Sequence, residues 1–379
     1  MSATRAPLGL YIHWPYCRRI CPYCDFNVYR ARAYDTDLTD ALIADLSGWA
    51  ELAGARPLTS IHFGGGTPSL MSAPDVERVI DAAHRVFGLK SGAEIGLEAN
   101  PAEADALPDL ARAGINRMSV GVQSLRDDAL KRLGRDHDAA KAAEAVRVAQ
   151  KVVPRVSVDL IHTREGQSLA DWEMELTEAI ALGTGHVSAY QLTLEPGTAF
   201  ARQAETGRLE LPDGDAAADF QELTDQTLAA AGFTAYEISN HARTRQDRSV
   251  HNSLYWTGGD WIGIGPGAHS RLRAGRGAVG GRGPRKAGGV CFSRPRDRAR
   301  QRGRGEADGA RGICRARTDG IADLGRDRPR GPGGRYRPGP QQRPDRLSGA
   351  GQVDQRNAPS RRPDPAGQIA GGPDRRRAG

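Results

Sequence analysis

Three cysteines stand close together in the segment YIHWPYCRRICPYCDF at residues 11–26. They are Cys17, Cys21 and Cys24, and Phe26 stands where a fourth thiol would extend the series. In a reducing compartment, such spacing favours metal binding over a disulfide. A structural zinc site closes with four ligands, whereas a cubane iron–sulfur cluster on three thiolates leaves one iron open. The thiols therefore predict a [4Fe-4S] cluster, with a zinc site completed by His13 as the alternative.

The iron that no cysteine binds would be free to bind a further ligand, which is not a protein side chain. The amino nitrogen and carboxylate oxygen of S-adenosylmethionine (SAM) could bind it, and one electron from the cluster would then break the sulfonium bond to give a 5′-deoxyadenosyl radical. Tyr23 and Phe26 would shield such a cluster from water and tune its reduction potential.

A glycine-rich segment, FGGGTPS, occupies residues 63–69 directly after a predicted strand. Glycines allow positive φ and close approach of the backbone, so exposed N–H groups can bind a carboxylate or an amino-acid group. A turn of this composition is also common for structural reasons alone. The segment is therefore a candidate site for the amino-acid part of a ligand.

Polar side chains lie at or near the ends of other predicted strands. Glu98 could bind an ammonium group or ribose hydroxyls, and Gln123, Arg135 and Asp159 supply further polar groups. Each carboxylate alone could instead cap the following helix. Because the carboxyl ends of parallel strands meet at one edge, these residues together predict a ligand-lined mouth.

The segment HNSLYW at residues 251–256 places His251 near Tyr255 and Trp256, with no clear helical period. Histidine is a common axial ligand of haem iron, and aromatic neighbours can stack on a porphyrin. A histidine beside aromatic residues is also common as a structural residue. His251 is therefore a candidate haem ligand.

Short apolar runs alternate with longer amphipathic stretches, which is typical of strand–helix units. Strands are predicted at 9–14, 60–65, 93–99, 117–123, 155–161 and 186–193. Helical patterns cover 34–53, 73–87 and 169–182. Six such units predict a parallel sheet with right-handed crossovers and fall short of the eight that close a barrel. The expected fold class is α/β, a partial (β/α)6 TIM-type barrel with its site at the carboxyl ends of the strands.

Composition divides the chain into three parts. We expect a barrel at 1–200, an extension carrying HNSLYW at 201–272, and a basic tail at 273–379. The tail holds 26 Arg and 23 Gly but only 10 large apolar residues, too few to offset the entropy of ordering, so it is expected to be disordered. Its net charge is 27 − 10 = +17, which leaves 7 − 17 = −10 for residues 1–272.

Two origins are consistent with the tail. Arg, Gly, Pro and Ala have GC-rich codons, so a shifted reading frame in a GC-rich gene gives this mixture, and the composition changes abruptly after GIGPGAHSRL. An arginine- and glycine-rich arm would instead bind nucleic-acid phosphates. The frameshift is favoured because the tail is poor in aromatic residues and all five tryptophans precede it.

The sequence favours a cytoplasmic protein. No stretch approaches the ~20 apolar residues of a membrane span. The first residues, MSATRAPLGLYIHWP, lack an apolar core before a cleavage site.

Residues 8–272 resemble one family through a series of motifs. In chain order these are YIHWPYCRRICPYCDFN, FGGGTPSL, EANP, NRMSVGVQSL, LGRDHD, VSAYQLTLEPGTAF, YEISN, HNSLYW and GIGPGAHS. They resemble the radical-SAM haem chaperones (HemW type), which are relatives of the oxygen-independent coproporphyrinogen III oxidases. The family's C-terminal helical domain is absent, and the basic tail stands in its place.

The resemblance implies a partial barrel with a [4Fe-4S] cluster on Cys17, Cys21 and Cys24. It implies SAM contacts at Tyr11, Gly65, Gly66, Thr67, Glu98, Gln123, Arg135 and Asp159. It also implies that His251 binds haem, and that the protein passes haem to an acceptor, expected to be a respiratory protein, with a separate electron donor. It assigns no catalytic residue.

An oxygen-independent coproporphyrinogen III oxidase of porphyrin biosynthesis is the alternative. The true oxidases carry a further cysteine two residues beyond the third, where this chain has Phe26, and the HNxxYW signature is that of the chaperone group. Both features favour the chaperone, so oxidase activity is not expected. An RNA-binding protein that uses the basic tail is a more distant alternative, and nucleic-acid binding is otherwise not expected.

Overall fold

The computed structural model describes residues 6–30, 36–54, 56–274 and 277–282. These residues belong to a compact unit spanning Met1–Arg317, and the second unit, Thr318–Gly379, lies outside them. Most of the basic tail expected at 273–379 therefore falls outside the described residues.

The strands and helices follow one another along the chain in repeated alternation. The strands are β1 (Leu8–Trp14), β2 (Tyr16–Cys17), β3 (Tyr29–Arg30), β4 (Leu58–Gly65), β5 (Leu89–Ala99), β6 (Arg117–Gln123), β7 (Arg155–His162), β8 (His186–Gln191), β9 (Thr234–Ala235), β10 (Asn240–Ala242), β11 (Asp260–Ile264), β12 (His269–Ala274) and β13 (Gly277–Arg282). The α-helices are α1 (Thr36–Ala53), α2 (Ala73–Phe87), α3 (Leu107–Arg112), α4 (Asp127–Arg132), α5 (Ala139–Val152), α6 (Leu169–Ala181), α7 (Ala199–Glu205), α8 (Gly214–Ala230) and α9 (Val250–Trp256). Two short 3₁₀ helices span Pro68–Leu70 and Pro101–Ala106.

One mixed sheet organises the described residues. Its centre is parallel, in the order β11-β1-β4-β5-β6-β7-β8. Antiparallel strands extend both sides, β10 and β9 beyond β8, and β12 and β13 beyond β11. Within the part of the chain that is described, no pairing joins the edge strands β13 and β9, so the barrel stays open.

The predicted fold class is confirmed. The six predicted strands are β1, β4, β5, β6, β7 and β8, parallel neighbours in chain order with helices in the crossovers. The region at 201–272 joins the same sheet, because β11 pairs with β1 from Leu8 opposite Asp260 to Ile12 opposite Ile264. The partial barrel therefore contains a seventh parallel strand that the sequence does not predict.

The boundary expected at 272 lies within β12, which spans His269–Ala274. Strand β12 pairs with β13 from His269 opposite Arg282 to Ala274 opposite Gly277. Composition cannot detect such a strand, because residues 277–282 carry few apolar side chains and are fixed by backbone pairing.

Helix α2 illustrates why these segments are helical. The Ser72 side chain accepts a hydrogen bond from the Asp75 amide at the start, and Gly88 with φ 76° ends the helix. Buried residues recur at helical spacing on the face that packs into the core: Val76, Val79, Ile80, Ala83 and Phe87.

The core lies between the sheet and these helices. Trp172 of α6 is fully buried, and its indole N–H donates to Thr224 Oγ1 of α8 at 2.8 Å, which ties two neighbouring helices together. No helix among the described residues is long and apolar enough to cross a membrane.

Candidate functional site

The three cysteines lie on the loop that follows β1, at the carboxyl ends of the parallel strands. Strand β2 ends at Cys17, and its pairing with β3 folds the loop back on itself. The Cys24 amide donates to the Cys21 carbonyl at 3.1 Å, which closes a turn between these two thiols. All three cysteines line one cavity of about 490 Å³, called here the central cavity.

Most of the residues expected to contact SAM line the same cavity. They are Gly65, Gly66, Thr67, Glu98, Gln123, Arg135 and Asp159. Tyr23 and Phe26, expected to shield a cluster, line it as well. The carboxyl ends of β4, β5, β6 and β7 therefore bring residues from distant parts of the chain to one place.

Both a nearby positive charge and burial affect the three thiols. Arg135 Nη1 donates to Cys21 Sγ at 3.3 Å, which places a positive charge beside a sulfur. Burial raises the pKa of the Cys17 thiol, opposed by a hydrogen bond with the Thr67 side chain, and burial raises the pKa of Cys24 to about 11. The Cys17 and Cys24 thiols are therefore protonated at neutral pH without a metal, and metal binding would release protons.

A single-ion site, the zinc alternative, fits less well. His13, the supposed fourth ligand, is buried, with Nε2 hydrogen-bonded to the Asn27 carbonyl at 3.0 Å and Nδ1 to the Tyr11 hydroxyl at 3.1 Å. Thiolates of a cubane bind separate irons, so three thiols spread along one cavity fit a cluster.

The glycine segment packs against the cysteine loop. The Gly66 amide donates to the Trp14 carbonyl at 2.6 Å, and the Thr67 amide donates to the Tyr16 carbonyl at 2.8 Å. An ideal Cβ on Gly66 would lie 2.6 Å from the Tyr16 oxygen, so only glycine allows this approach. The expectation of exposed N–H groups is wrong for these two amides, because the backbone of β1 and β2 already accepts from them.

Glu98, at the end of β5, connects the glycine segment with the barrel interior. Its Oε2 accepts from the Gly65 amide at 3.2 Å, and its Oε1 is hydrogen-bonded with His62 Nε2 at 3.1 Å. The Glu98 side chain keeps 39% of its surface exposed, so the carboxylate remains open to a ligand in the central cavity.

Gln123 ends β6 in a strained conformation. Its φ is 65°, and only Thr163 shares a positive φ among the described non-glycine residues. Such strain, about 1–3 kcal/mol, tends to persist where it positions a functional side chain. The positive φ of Gln123 therefore indicates a functional position, and this indication does not depend on the motif that contains the residue.

Asp159 lies on β7 deep in the barrel mouth. Its oxygens accept from Ser119 Oγ at 2.7 and 2.9 Å and from Ser157 Oγ at 3.1 Å. Burial raises the pKa of this carboxyl, and the hydrogen bond from Ser119 opposes the rise. Asp159 is thus a fixed acceptor at the base of the cavity.

Arg135 forms hydrogen bonds with groups that the sequence alone does not identify as site residues. Its Nη2 donates to Asn100 Oδ1 at 2.8 Å and to the Gly121 carbonyl at 3.2 Å, and Asn100 Nδ2 donates to Asp136 Oδ1 at 3.0 Å. Asn100, Ser119, Asp136 and Tyr190 all line the central cavity. Each lies inside a quoted motif, so membership of these motifs is the signal that would have found them.

Tyr11 is not among the residues that line the central cavity. It lines a second pocket of about 690 Å³, called here the aromatic pocket, with Phe26, Tyr255 and Trp261. Its ring stacks on His62 at a centroid distance of 6.2 Å, and His62 is bonded to Glu98. Tyr11 therefore contacts Glu98 indirectly, through His62. In this conformation Tyr11 does not face the central cavity where SAM is expected.

His251 lies in the core on helix α9, a segment in which the sequence shows no clear helical period. Glu94 of β5 fixes the start of this helix, because its carboxylate accepts from the amides of Val250 at 2.9 Å and His251 at 3.0 Å. The His251 ring is hydrogen-bonded at Nδ1 with Ser60 Oγ, 2.9 Å, and at Nε2 with the Tyr255 hydroxyl, 2.7 Å.

The surroundings of His251 keep its ring neutral and closed in. Its exposed fraction is 1%, and the ring stacks on His62 at 5.1 Å. Burial, followed by the nearby His62, lowers its pKa well below the ordinary value. Both ring nitrogens have partners, so His251 can bind haem iron only after leaving Ser60 or Tyr255.

Comparison with known proteins agrees with this geometry. The family model of the radical SAM superfamily matches residues 11–179. The chain is 42% identical over 271 residues to heme chaperone HemW of Escherichia coli K12, covering 70% of each chain. It is also 42% identical over 268 residues to the mitochondrial radical S-adenosyl methionine domain-containing protein 1 of Danio rerio, covering 70% of this chain and 60% of that one.

The chain thus spans about 60% of the length of the mitochondrial relatives it matches. Among solved structures, it is similar to coproporphyrinogen III oxidase (HemN) of Escherichia coli with a TM-score of 0.62 and 22% identity, covering 74% of this chain and 68% of that one. That likeness shows a shared fold. The cysteine loop, the cavity and the identity to HemW together place the chain in the radical SAM superfamily, as a member of its HemW-type family.

Proposed function

We propose that this protein binds haem and passes it to an acceptor protein. The observation that carries the proposal is the 42% identity to heme chaperone HemW over 271 residues, 70% of each chain. This protein would act in the cytoplasm, the acceptor would be a respiratory protein, and a separate donor would supply electrons to the cluster.

Cys17, Cys21 and Cys24 would hold the [4Fe-4S] cluster that membership of the radical SAM superfamily implies. With SAM bound, the cluster supplies one-electron chemistry. Arg135 would keep a positive charge and a hydrogen-bond donor beside Cys21 Sγ. Burial around Cys17 would limit the access of water to the sulfur.

SAM would occupy the rest of the central cavity. Glu98 offers a carboxylate for an ammonium group, and Asp159 and Gln123 offer acceptors and a donor for hydroxyl groups. Gly65, Gly66 and Thr67 would form the wall against which the ligand packs. Tyr11 would act through His62 and Glu98.

The HNSLYW motif would belong to the haem site. The family resemblance assigns iron binding to His251, which would require this ring to leave a hydrogen-bonded position in the core. Tyr255 faces the aromatic pocket already. The motif therefore supports haem binding through Tyr255 with His251 in its present position.

The oxidase is the second candidate, and no observation on this chain favours it. Its similarity rests on 22% identity, which shows the fold alone. The position two residues beyond the third cysteine is Phe26, so the chain lacks the additional thiol expected of an oxidase. The RNA-binding alternative depends on residues outside the described part.

A haem titration of the anaerobically reconstituted full chain tests the proposal. We expect saturation at about one haem per chain, together with about four irons and four sulfides in the cluster. Absence of saturable haem binding would overturn the carrier function, whereas zinc in place of iron and sulfide would overturn the cluster.

A further inference from the structure

A third pocket adjoins the central cavity and is called here the basic pocket. Its volume is about 700 Å³. Arg19 and Ile20, which stand between the first two cysteines of the loop, line both cavities, and so do Gly134 and Leu192. A molecule bound in the basic pocket would therefore contact the loop that carries the thiols.

The basic pocket has an apolar floor. Four of its lining residues are buried members of a small hydrophobic cluster that is separate from the main core: Leu133, Leu192, Phe200 and Leu209. Ile20 also lines the pocket, and its exposed fraction of 45% leaves apolar surface open. Open apolar surface bordered by charged groups is typical of a site that binds another molecule.

Charged side chains surround this floor, and most of them are cations. The cations are Arg19, Arg126, Lys131, Arg132 and Arg164, against the carboxylates Asp128, Glu165 and Asp171. Arg126 Nη1 donates to Glu178 Oε2 at 2.7 Å. Arg164 Nη1 donates to buried Glu175 Oε1 at 3.3 Å. Carboxylates therefore already hold these two arginines.

Two other cations of the pocket have no such partner. Among the described residues, no ion pair engages Arg19 or Lys131, and both side chains are exposed. Residues 1–272 carry a net charge of −10, so the basic pocket has the opposite charge to the domain around it. An acidic protein would be repelled by most of this domain and attracted here, which would orient its approach.

The walls of the basic pocket are fixed by backbone contacts. The Phe200 amide donates to the Pro22 carbonyl at 2.9 Å, which joins helix α7 to the cysteine loop. Gly134, with φ 70°, follows helix α4, and an ideal Cβ there would lie 2.6 Å from Pro22 Cδ. Helices α4 and α7 thus both pack on the cysteine loop. A pocket that is already formed costs little ordering when a partner binds.

We infer that the basic pocket is the docking site of the electron donor, a carrier protein with an acidic surface whose apolar side chain enters the pocket beside Arg19 and Lys131. This inference rests on the proposed function, which includes a separate donor, and adds the surface that receives it. One electron would leave the reduced carrier and enter the cluster on the neighbouring loop, so the transfer needs no other reactant. Among the described residues, none lines both this pocket and the aromatic pocket, so the docked carrier would leave the proposed haem motif accessible.

Amide hydrogen exchange tests where the partner docks, with an acidic flavodoxin as the one-electron carrier and the cluster-reconstituted full chain. At low ionic strength we expect slower exchange in α4 and α7, the helices that wall the basic pocket. The basic tail, with its net charge of +17, would also attract an acidic protein. Exchange that flavodoxin leaves unchanged in α4 and α7 would therefore overturn the inference, even if the tail became protected.

The rate at which reduced flavodoxin reduces the cluster tests the residues. Lys131→Glu should slow this step about tenfold or more at low ionic strength, because attraction between charges sets the rate of encounter. At about 1 M salt, where the screening length is about 3 Å, the variant should react at close to the wild-type rate. The variant and the wild type should bind haem equally.

Lys151→Glu is the matched control. Lys151, like Lys131, is an exposed lysine in the last turn of a helix. Helix α5 ends where β7 begins, so Lys151 lies at the amino ends of the strands, away from the cysteine loop. This variant should react with flavodoxin as the wild type does. Photoreduced deazaflavin, a small reductant that needs no docking surface, should reduce all three chains equally.

Equal rates with flavodoxin for Lys131→Glu and Lys151→Glu at low ionic strength would overturn the inference, and unchanged haem binding would leave the carrier function intact. A wild-type chain that binds no haem but reacts with flavodoxin as expected would overturn the haem-carrier function and leave the docking site.

Discussion

Replacing Gly66 by alanine should destabilise the protein and weaken cluster binding. An ideal Cβ there lies 2.6 Å from the Tyr16 carbonyl oxygen and 2.9 Å from that of Trp14. These are backbone atoms of β1 and β2, so the clash can be relieved only by moving the strands that lead into Cys17. The Gly66 amide donates to Trp14 at 2.6 Å, which prevents the glycine segment from moving away freely.

The size of the effect follows from the packing. Inserting a methyl group into a closely packed site costs about 1–3 kcal/mol. In a domain of roughly this size, each kcal/mol lowers the Tm by about 2–4 °C. We therefore expect Gly66→Ala to lower the Tm of the metal-free chain by about 2–12 °C, and to retain less iron than the wild type after reconstitution.

Gly214→Ala is the matched control. Gly214 begins helix α8, and no atom lies within 4 Å of an ideal Cβ there. Its substitution should change stability by less than about 0.5 kcal/mol. Thermal unfolding followed by far-ultraviolet circular dichroism and iron analysis of both variants provide the test. Equal Tm values for the two variants would refute the packing reasoning, and a full iron complement in Gly66→Ala would refute the link to the cluster.

Three other changes give distinct expectations. Glu98→Gln should weaken SAM binding about tenfold, because a charged acceptor contributes about 1.5–3 kcal/mol against about 0.5–1.5 for a neutral one; unchanged affinity by calorimetry would remove Glu98 from the SAM site. Ser60→Ala removes a hydrogen-bond partner of buried His251 and should lower the free energy of unfolding by about 1–3 kcal/mol. The control Ser47→Ala changes an exposed residue and should alter this free energy by less than about 0.5 kcal/mol. Equal effects of the two variants in urea unfolding would contradict this expectation. Burial lowers the pKa of His162 from 6.5 to about 4. As the pH is lowered, the unfolded chain therefore binds a proton at this residue before the folded chain does, so the free energy of unfolding should fall as the pH decreases from 6.5 to about 4. His162→Gln should remove about 1.4 kcal/mol of that fall per pH unit, and parallel pH profiles would count against it.

The strand–helix pattern predicts the six central strands because strands buried on both faces of a parallel sheet are short apolar runs between turns. It does not predict β11, the five-residue segment Asp260–Ile264, which begins with a charged residue. Its place comes from pairing with β1, nearly the whole described chain away. Helix α9 has seven residues, too few to display a period, and its start depends on Glu94 of a distant strand.

The sequence predicts most residues of the candidate site but not the hydrogen bonds that engage them. Cysteine spacing and polar residues at strand ends identify most of the central cavity, because a parallel sheet gathers those ends at one edge. The sequence cannot reveal that Gly66 and Thr67 donate to the neighbouring strand loop, since those acceptors lie some fifty residues earlier. Nor can it reveal that both nitrogens of His251 are engaged, because Ser60 lies on β4, 191 residues earlier in the chain.

Haem carriage and oxidase activity are separated most directly by one experiment. The reconstituted chain is incubated anaerobically with SAM, a reductant and coproporphyrinogen III, and the products are compared with haem binding by the same preparation. A haem chaperone should hold about one bound haem per chain and form no decarboxylated porphyrinogen. Sustained decarboxylation of coproporphyrinogen III would contradict it, because the chain would then be an oxidase that shares the chaperone's sequence.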